Sequence, residues 1–575
     1  MSTDLNILVG GEAGQGVQSV GSVLARAMMR GGYEVFADQD FESRIRGGNS
    51  FTRVRISSDP VQSPLEKADM VVALNAETID LHLSEIRGGG IIIYDGEKTG
   101  SKPDKGVLTL DIPIEKIAEE KAGSLRMTNT VASAAALGLL DYDLEILIGV
   151  LREEYGRHGD KVVEGNIKAA KAGYEFAQQH RPKDYTERLK AGKSSGKMLI
   201  SGNEAVALGA LAAGCRFVAG YPMTPSTPIL EYLADKGREF RVLVIQAEDE
   251  ISAINMAVGA GFTGARSMVA TSGGGFCLMV EGLSLAGMTE TPVVIVLGQR
   301  AGPSTGLPTR TEQGELLFAL HAGHGEFPRF IAAPANAEEA FWLTVKAFNM
   351  AEKYQSPAII LTDHEMADSY YTVTPFDLDA VVIERGDLLT DKEANKAGEY
   401  KRYAYTKSGI SPRAFPGQGK ALVVADSDEH SEAGHIIEDA ETRRLMVEKR
   451  MRKHEGLQKE VGEPAFHHRE KAKFNLIGWG SSRGAIEEAA CLLEANGVSA
   501  CVIHFNELWP FPAEVLVKNL AGVAKNIVIE SNATGQLGRL IRTETSIKMD
   551  GHIARYDGRP LSAEYIVEHF EREVA

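Results

Sequence analysis

Short apolar runs recur along the whole chain, each followed by a longer stretch of mixed polarity. Such runs occupy residues 6–9, 71–74, 90–94, 215–219, 241–245, 267–271, 293–297, 357–361, 475–477, 498–505 and 526–530. Runs of this length, rich in β-branched residues, predict buried strands of parallel sheets. The stretches between them predict helices, among them 17–29, 204–213, 253–262, 337–351 (with Asn336 as N-cap) and 485–495. Strand–helix alternation of this kind predicts an α/β fold with parallel-rich sheets.

The alternation breaks twice. Residues 178–195 are polar, carry Pro182 and end in small residues, which is linker composition and puts a boundary near residue 190. Residues 371–472 are dense in charge, and Gly409-Ile410-Ser411-Pro412-Arg413-Ala414-Phe415-Pro416-Gly417 predicts irregular backbone. The expected organisation is therefore an α/β domain over 1–190, a second over 196–370, a charged connecting segment over 371–472 and a third α/β domain over 473–575. Within the connecting segment, Asp426-Ser427-Asp428-Glu429-His430 and His435 read as an acidic turn before a charged helix over 442–454, in preference to a metal site.

Composition narrows the function classes. At 575 residues the chain exceeds one hydrophobic core, and its net charge of −17 argues against a general nucleic-acid or anionic-membrane binder. No apolar run reaches membrane-spanning length, and Met1-Ser2-Thr3-Asp4 lacks the features of a signal peptide, so the expected location is the cytoplasm. Cys215, Cys277, Cys491 and Cys501 are far apart with no C-x-x-C, so they are expected to be buried small apolar residues. If electrons move, the iron–sulfur cluster is on another chain.

The candidate chemistry concentrates in residues 220–313. The predicted strands at 215–219, 241–245 and 293–297 deliver three loops: Gly220-Tyr221-Pro222-Met223-Thr224-Pro225-Ser226-Thr227, Gln246-Ala247-Glu248-Asp249-Glu250-Ile251-Ser252-Ala253 and Gln299-Arg300-Ala301-Gly302-Pro303-Ser304-Thr305-Gly306-Leu307-Pro308-Thr309. Ligands of open α/β sheets bind outside the carboxyl ends of the strands, so a hydroxyl, a carboxylate and a guanidinium would share one crevice. Arg300 has the planar fork that receives a carboxylate, and the hydroxyls of Thr224 and Thr309 suit a developing alkoxide.

These three segments resemble the pyrimidine-binding domain of the 2-oxoacid:ferredoxin oxidoreductases, thiamine diphosphate enzymes that make acyl-CoA and pass electrons to ferredoxin. Within that family the chain is most similar to alpha subunits of the 2-oxoglutarate type, with the family's gamma domain at the N-terminal end and a transketolase C-terminal-like domain over 473–575. The resemblance implies that Glu250 shares a proton with the cofactor's aminopyrimidine, with Glu248 as the competing carboxylate. It further implies cofactor contacts at Tyr221, Pro222, Thr224 and Glu250, and substrate contacts at Arg300, Thr224 and Thr309. Gly-Asp-Gly, the usual thiamine pattern for Mg²⁺ and diphosphate, is absent. An obligate beta subunit is therefore expected to bring Mg²⁺, the diphosphate contacts and a [4Fe–4S] cluster, in a dimer of alpha–beta heterodimers, with coenzyme A as co-substrate and ferredoxin as partner.

Near the N-terminus, Gly10-Gly11-Glu12-Ala13-Gly14-Gln15-Gly16 sits between a predicted strand and helix without the G-x-G-x-x-G spacing. It reads as a tight turn or as a phosphate contact. Ser43-Arg44-Ile45-Arg46-Gly47-Gly48 resembles the gamma domain's R-G-G segment, so Gly14, Gln15, Gly16, Arg44 and Arg46 are candidates for contact with coenzyme A or a partner. The alternatives are the same chemistry on pyruvate or a branched 2-oxoacid, a transketolase or dehydrogenase E1 relative, and a non-catalytic coenzyme A- or nucleotide-binding assembly subunit. The direction of reaction, oxidation or CO2 fixation as in a reductive TCA cycle, stays open.

Overall fold

The computed structural model describes residues 3–574 apart from 44–46, 101, 104–105, 397, 468–471 and 521–524, so the candidates Arg44 and Arg46 lie outside the described residues. The chain forms two compact units, 1–200 with 368–375 and 562–564, and 201–367 with 376–561 and 565–575. Among the described residues no helix is long and apolar enough to cross a membrane.

The first unit is built on β1 (Asp4–Gly11), β2 (Glu34–Asp40), β3 (Ser50–Ser57), β4 (Ala68–Ala73), β5 (Ile86–Tyr94), β6 (Leu108–Asp111) and β7 (Met198–Ser201). β1 is buried at every position after Asp4 and lies inside the sheet, parallel to β4 and antiparallel to β3. Continuous burial explains its unbroken apolar run. The small-residue helices Thr128–Leu139 and Asp160–Gln179 pack backbone against backbone. A Cβ on Gly173 would lie 2.6 Å from the Val131 carbonyl oxygen, and one on Gly138 2.6 Å from that of Tyr174. Residues 180–197 carry no helix or strand, yet Tyr185 and Leu189 are buried in the first core, so this polar stretch is pinned at two points.

The second unit opens with β8 (Phe217–Gly220), β9 (Leu243–Gln246), β10 (Ser267–Ser272), β11 (Val293–Gln299), β12 (Phe330–Ala332) and β13 (Pro357–Asp363). β14 (Tyr370–Val373) pairs with β2 and completes the first sheet, whose order is β6-β5-β4-β1-β3-β2-β14-β7. β15 (Ala465–His467), β16 (Phe474–Trp479), β17 (Ala500–Phe505), β18 (Glu507–Trp509), β19 (Lys525–Glu530) and β20 (Gly551–Ala554) follow. The second sheet runs β18-β12-β13-β11-β10-β8-β9, parallel except at β18, and the third runs β15-β17-β16-β19-β20. Ile359 and Leu361 share one core with Trp479, Ile503 and Val528 of the third sheet, and Ser481 Oγ donates to Asp363 Oδ2 at 2.5 Å across that junction.

The charged segment that hydrophobic patterning leaves blank is fixed by buried ions. In the helix Ala440–Gln458, Lys449 donates to both Glu290 carboxylate oxygens at 2.7 and 2.8 Å, and Lys453 also pairs with Glu290. Arg402 donates to the Glu290 carbonyl at 2.8 Å, and Arg413 donates to Glu352 at 2.9 Å. Two of the four cysteines depart from the expected burial. Cys215 and Cys501 are buried, but Cys277 and Cys491 are exposed because they lie on outward faces of the helices Gly273–Met288 and Arg483–Ala495.

Candidate thiamine and 2-oxoacid site

β8, β9 and β11 are parallel members of one sheet, so the loops that leave them open on the same edge. The loop after β8 is held from below. Asn203 Nδ2 donates to the Pro225 carbonyl at 3.0 Å, and the Ser226 hydroxyl donates to the Thr271 carbonyl. Gly298 permits this approach, since a Cβ there would lie 2.7 Å from Ser226 Oγ and 2.9 Å from Pro225 Cγ. Tyr221 and Pro222 stand exposed at the mouth of the loop, and Thr224 is half-buried.

Half-buried Arg300 directly follows β11 and crosses to the first loop, where its Nη1 donates to the Thr224 carbonyl at 2.9 Å. Burial holds its guanidinium below the usual arginine range, an effect that Glu315 opposes. The loop beyond it closes on itself, with Leu307 N–H donating to Ala301 O at 2.9 Å and Ala301 N–H to Arg310 O at 3.3 Å. Gly306 has φ +53° and a Cβ would stand 1.9 Å from the Ala301 carbonyl oxygen, so this closure requires glycine. Thr309 is buried in the loop's return and, among the described residues, makes no hydrogen bond to Arg300 or Thr224.

The acidic loop resolves into separate roles. Asp249 caps the helix Glu250–Phe262, accepting from Ser252 N–H at 2.7 Å, and that bond holds its carboxyl below the usual range. Glu248 is exposed, whereas Glu250 is 4% exposed. Its Oε1 is buried and has no hydrogen-bond partner among the described residues. Gly275, near the start of the helix Gly273–Met288, admits it: a Cβ there would lie 2.5 Å from Glu250 Oε1 and 2.1 Å from Thr271 Oγ1. A buried polar atom without a partner is costly, so this oxygen calls for a donor that the described residues do not provide.

Sequence reasoning overlooked Glu315. Its backbone N–H donates to Gln299 Oε1 at 3.0 Å, next to Arg300, and among the described residues its Oε2 is buried without a hydrogen-bond partner. Burial first, and then the neighbouring Glu312, push its carboxyl up to about 8, against the pull of Arg300. The only signal was an acidic residue beyond the motif whose other letters attracted attention.

In the first unit, Gly16 begins the helix Val17–Arg30 with φ 78°, and a Cβ there would lie 1.9 Å from Asn129 Nδ2. Gln15 Oε1 accepts from Glu12 N–H at 2.7 Å. Gly14 and Gln15 also border a cavity of about 360 Å³ that Lys98, Arg126 and Asn129 help to line.

Three family models match in chain order. Residues 6–176 match "Pyruvate ferredoxin/flavodoxin oxidoreductase", residues 208–449 match "Pyruvate flavodoxin/ferredoxin oxidoreductase, thiamine diP-bdg", and residues 472–566 match "Pyruvate:ferredoxin oxidoreductase core domain II". The crevice thus lies in a thiamine diphosphate-binding domain of an oxidoreductase. A 2-oxoacid:ferredoxin oxidoreductase alpha subunit of Aeropyrum pernix is 33% identical over 97% of this chain and 96% of its own length. The 2-oxoglutarate oxidoreductase subunit KorA of Mycobacterium tuberculosis is 29% identical over 92% of this chain and 86% of its own. A solved 2-oxoglutarate:ferredoxin oxidoreductase from Magnetococcus marinus, with 2-oxoglutarate, coenzyme A and succinyl-CoA bound, superposes with TM-score 0.92 at 34% identity, covering 100% of both chains. The chain belongs to the alpha subunits of the 2-oxoacid:ferredoxin oxidoreductases.

Proposed function

We propose that this chain is the alpha subunit of a thiamine diphosphate-dependent 2-oxoglutarate:ferredoxin oxidoreductase, interconverting 2-oxoglutarate plus coenzyme A with succinyl-CoA plus CO2. The observation that carries the thiamine reading is the buried, unpartnered Oε1 of Glu250 in the loop the family's thiamine-binding model covers. The full-length likeness to the Magnetococcus marinus enzyme supports the substrate.

The residues present fit the cofactor's pyrimidine end. A protonated ring nitrogen is the donor that Glu250 Oε1 lacks, and the space is kept by Gly275. Thiamine diphosphate, when bound, supplies the nucleophilic carbon that attacks the 2-oxo group. Glu250 would hold the shared proton at the aminopyrimidine, and Tyr221, Pro222 and Thr224 would frame that ring from the β8 loop. Arg300 would receive the substrate carboxylate, with Thr224 and Thr309 offering hydroxyls toward the developing alkoxide. Coenzyme A or a partner would meet the Gly14–Gly16 turn, beside a cavity that Arg126, Asp95 and the Lys98–Glu115 ion pair border.

The remaining cofactor contacts, Mg²⁺ and the iron–sulfur cluster fall to a beta subunit. Exposed apolar side chains support its docking: Ile251 and Met256 on one helix and Leu278 on the neighbouring helix are 47%, 41% and 48% exposed, and Tyr221 and Leu307 in the crevice loops are 42% and 50% exposed. Several relatives are named only for 2-oxoacids, which keeps pyruvate as the alternative substrate, since Arg300 addresses the carboxylate common to both. The test is anaerobic dye reduction by the complex captured through a tag on this chain, with coenzyme A present. Reduction with 2-oxoglutarate alone is expected. Reduction with pyruvate instead would overturn the substrate, and silence with every 2-oxoacid in a complex shown to hold its partner and cluster would overturn the thiamine reading.

A further inference from the structure

Two carboxyl groups flank the start of the helix Gly273–Met288. Glu250 Oε1 lies against Gly275, and Glu315 Oε1 lies against Gly273, where a Cβ would stand 2.6 Å away. Among the described residues each has one buried oxygen without a hydrogen-bond partner, Oε1 in Glu250 and Oε2 in Glu315. The Gln299 side chain joins Glu315 to the β11 end that presents Arg300, accepting from the Glu315 N–H at 3.0 Å and donating to Thr362 O at 3.2 Å. Arg300 and Glu315 act on each other electrostatically, but among the described residues no ion pair joins them. Arg300 instead donates to the Thr224 carbonyl at 2.9 Å.

We propose that Glu315 is a positioning residue that sets how much of the Arg300 charge is offered to the 2-oxoacid carboxylate. The inference rests on the assignment of Arg300 to that carboxylate. As a neutral acid, Glu315 leaves the guanidinium uncompensated for an incoming anion. As a carboxylate, it competes for the same cation and repels the substrate. The charged and titratable groups that face it are Glu312 on its own loop, Arg300 from the end of β11 and Cys277 one turn into the facing helix. Burial is the largest influence on it and Glu312 the next, both favouring the neutral acid, and its carboxyl is pushed up to about 8. Below that pH the substrate meets an uncompensated arginine. As pH rises through it, the affinity falls.

The test is KM for the 2-oxoacid against pH in the assembled complex at saturating coenzyme A. In the wild type KM rises about tenfold between pH 7 and pH 9, and kcat changes far less. Glu315→Gln removes the rise, because its amide is neutral throughout, while Glu315→Asp retains it. A wild-type KM that is flat over this range overturns the proposal whatever the variants do, and so does an equal rise in Glu315→Gln. Wild-type complex without 2-oxoacid-dependent turnover at any pH would instead overturn the functional assignment beneath it.

Discussion

Glu250 and Glu315 are acids that the fold holds without full compensation, and each makes a measurable demand. Gly275 keeps the space that Glu250 occupies, so Gly275→Ala should drive a Cβ into Thr271 Oγ1 and Glu250 Oε1, at 2.1 and 2.5 Å. Overpacking of this kind costs about 1–3 kcal/mol. The expected outcome is a modest fall in unfolding midpoint and loss of more than about 100-fold in kcat, as a misplaced catalytic group produces. A variant that keeps wild-type turnover would separate Glu250 from the chemistry. For Glu315 the folded-state carboxyl is raised above its ordinary value, so between about 4.5 and about 8 the folded chain holds a proton that the unfolded chain has released. Stability is therefore lost as pH rises through this window. Glu315→Gln should match the wild-type melting temperature below the window, exceed it by a few degrees at pH 9, and show this in paired thermal melts.

Secondary elements were legible where burial alone decides their sequence. The run at 293–297 became β11, buried at every position, and the predicted strands at 215–219 and 241–245 became β8 and β9, displaced by one or two residues. β9, however, lies at the sheet edge with no buried position and so departs from the buried strand expected there. The loops they deliver were legible as motifs, and the structure brings Arg300 to Thr224 as their order suggested. What could not be read was the partition of the acidic loop. Asp249 takes the capping bond that Glu250 would otherwise compete for, and this depends on backbone angles that spacing does not reveal. Glu315 was likewise invisible, because its burial comes from elements far away in sequence. The charged helix is expected over 442–454, but the burial of its lysines is not. Lys449 is 0% exposed against Glu290, and such long-range ion pairs carry no periodicity. Removing one partner of a buried pair costs about 3–5 kcal/mol. Glu290→Ala should therefore lower the unfolding free energy by about that amount and open the helix Ala440–Gln458 to protease, whereas an exposed control such as Glu441→Ala should do neither.

At the scale of the molecule, the chain carries exposed apolar side chains, Leu278 among them, in its thiamine diphosphate-binding domain, where the proposed function docks a beta subunit. Leu278→Arg places a charge at one of these exposed positions, where the Leu278 side chain is 48% exposed. It should leave the melting temperature of the isolated chain within about 1 °C, since exposed substitutions change stability little. Capture of a beta subunit should fall at least about tenfold in a tagged pull-down, as expected for a charge buried without a partner at an interface. Undiminished capture would move the docking surface elsewhere. The missing Gly-Asp-Gly is legible in the sequence, but which apolar side chains stand exposed is not, because exposure is a property of the folded surface.

The central claim is that this chain contributes the Glu250 carboxylate to a thiamine site. Its most direct test is the turnover of Glu250→Gln, measured as coenzyme A-dependent anaerobic dye reduction with 2-oxoglutarate in a complex shown by gel filtration to be assembled. The account predicts a fully assembled complex whose rate falls by at least about 1000-fold, the scale of losing an essential proton-handling group. Assembly with turnover near that of the wild type would contradict it.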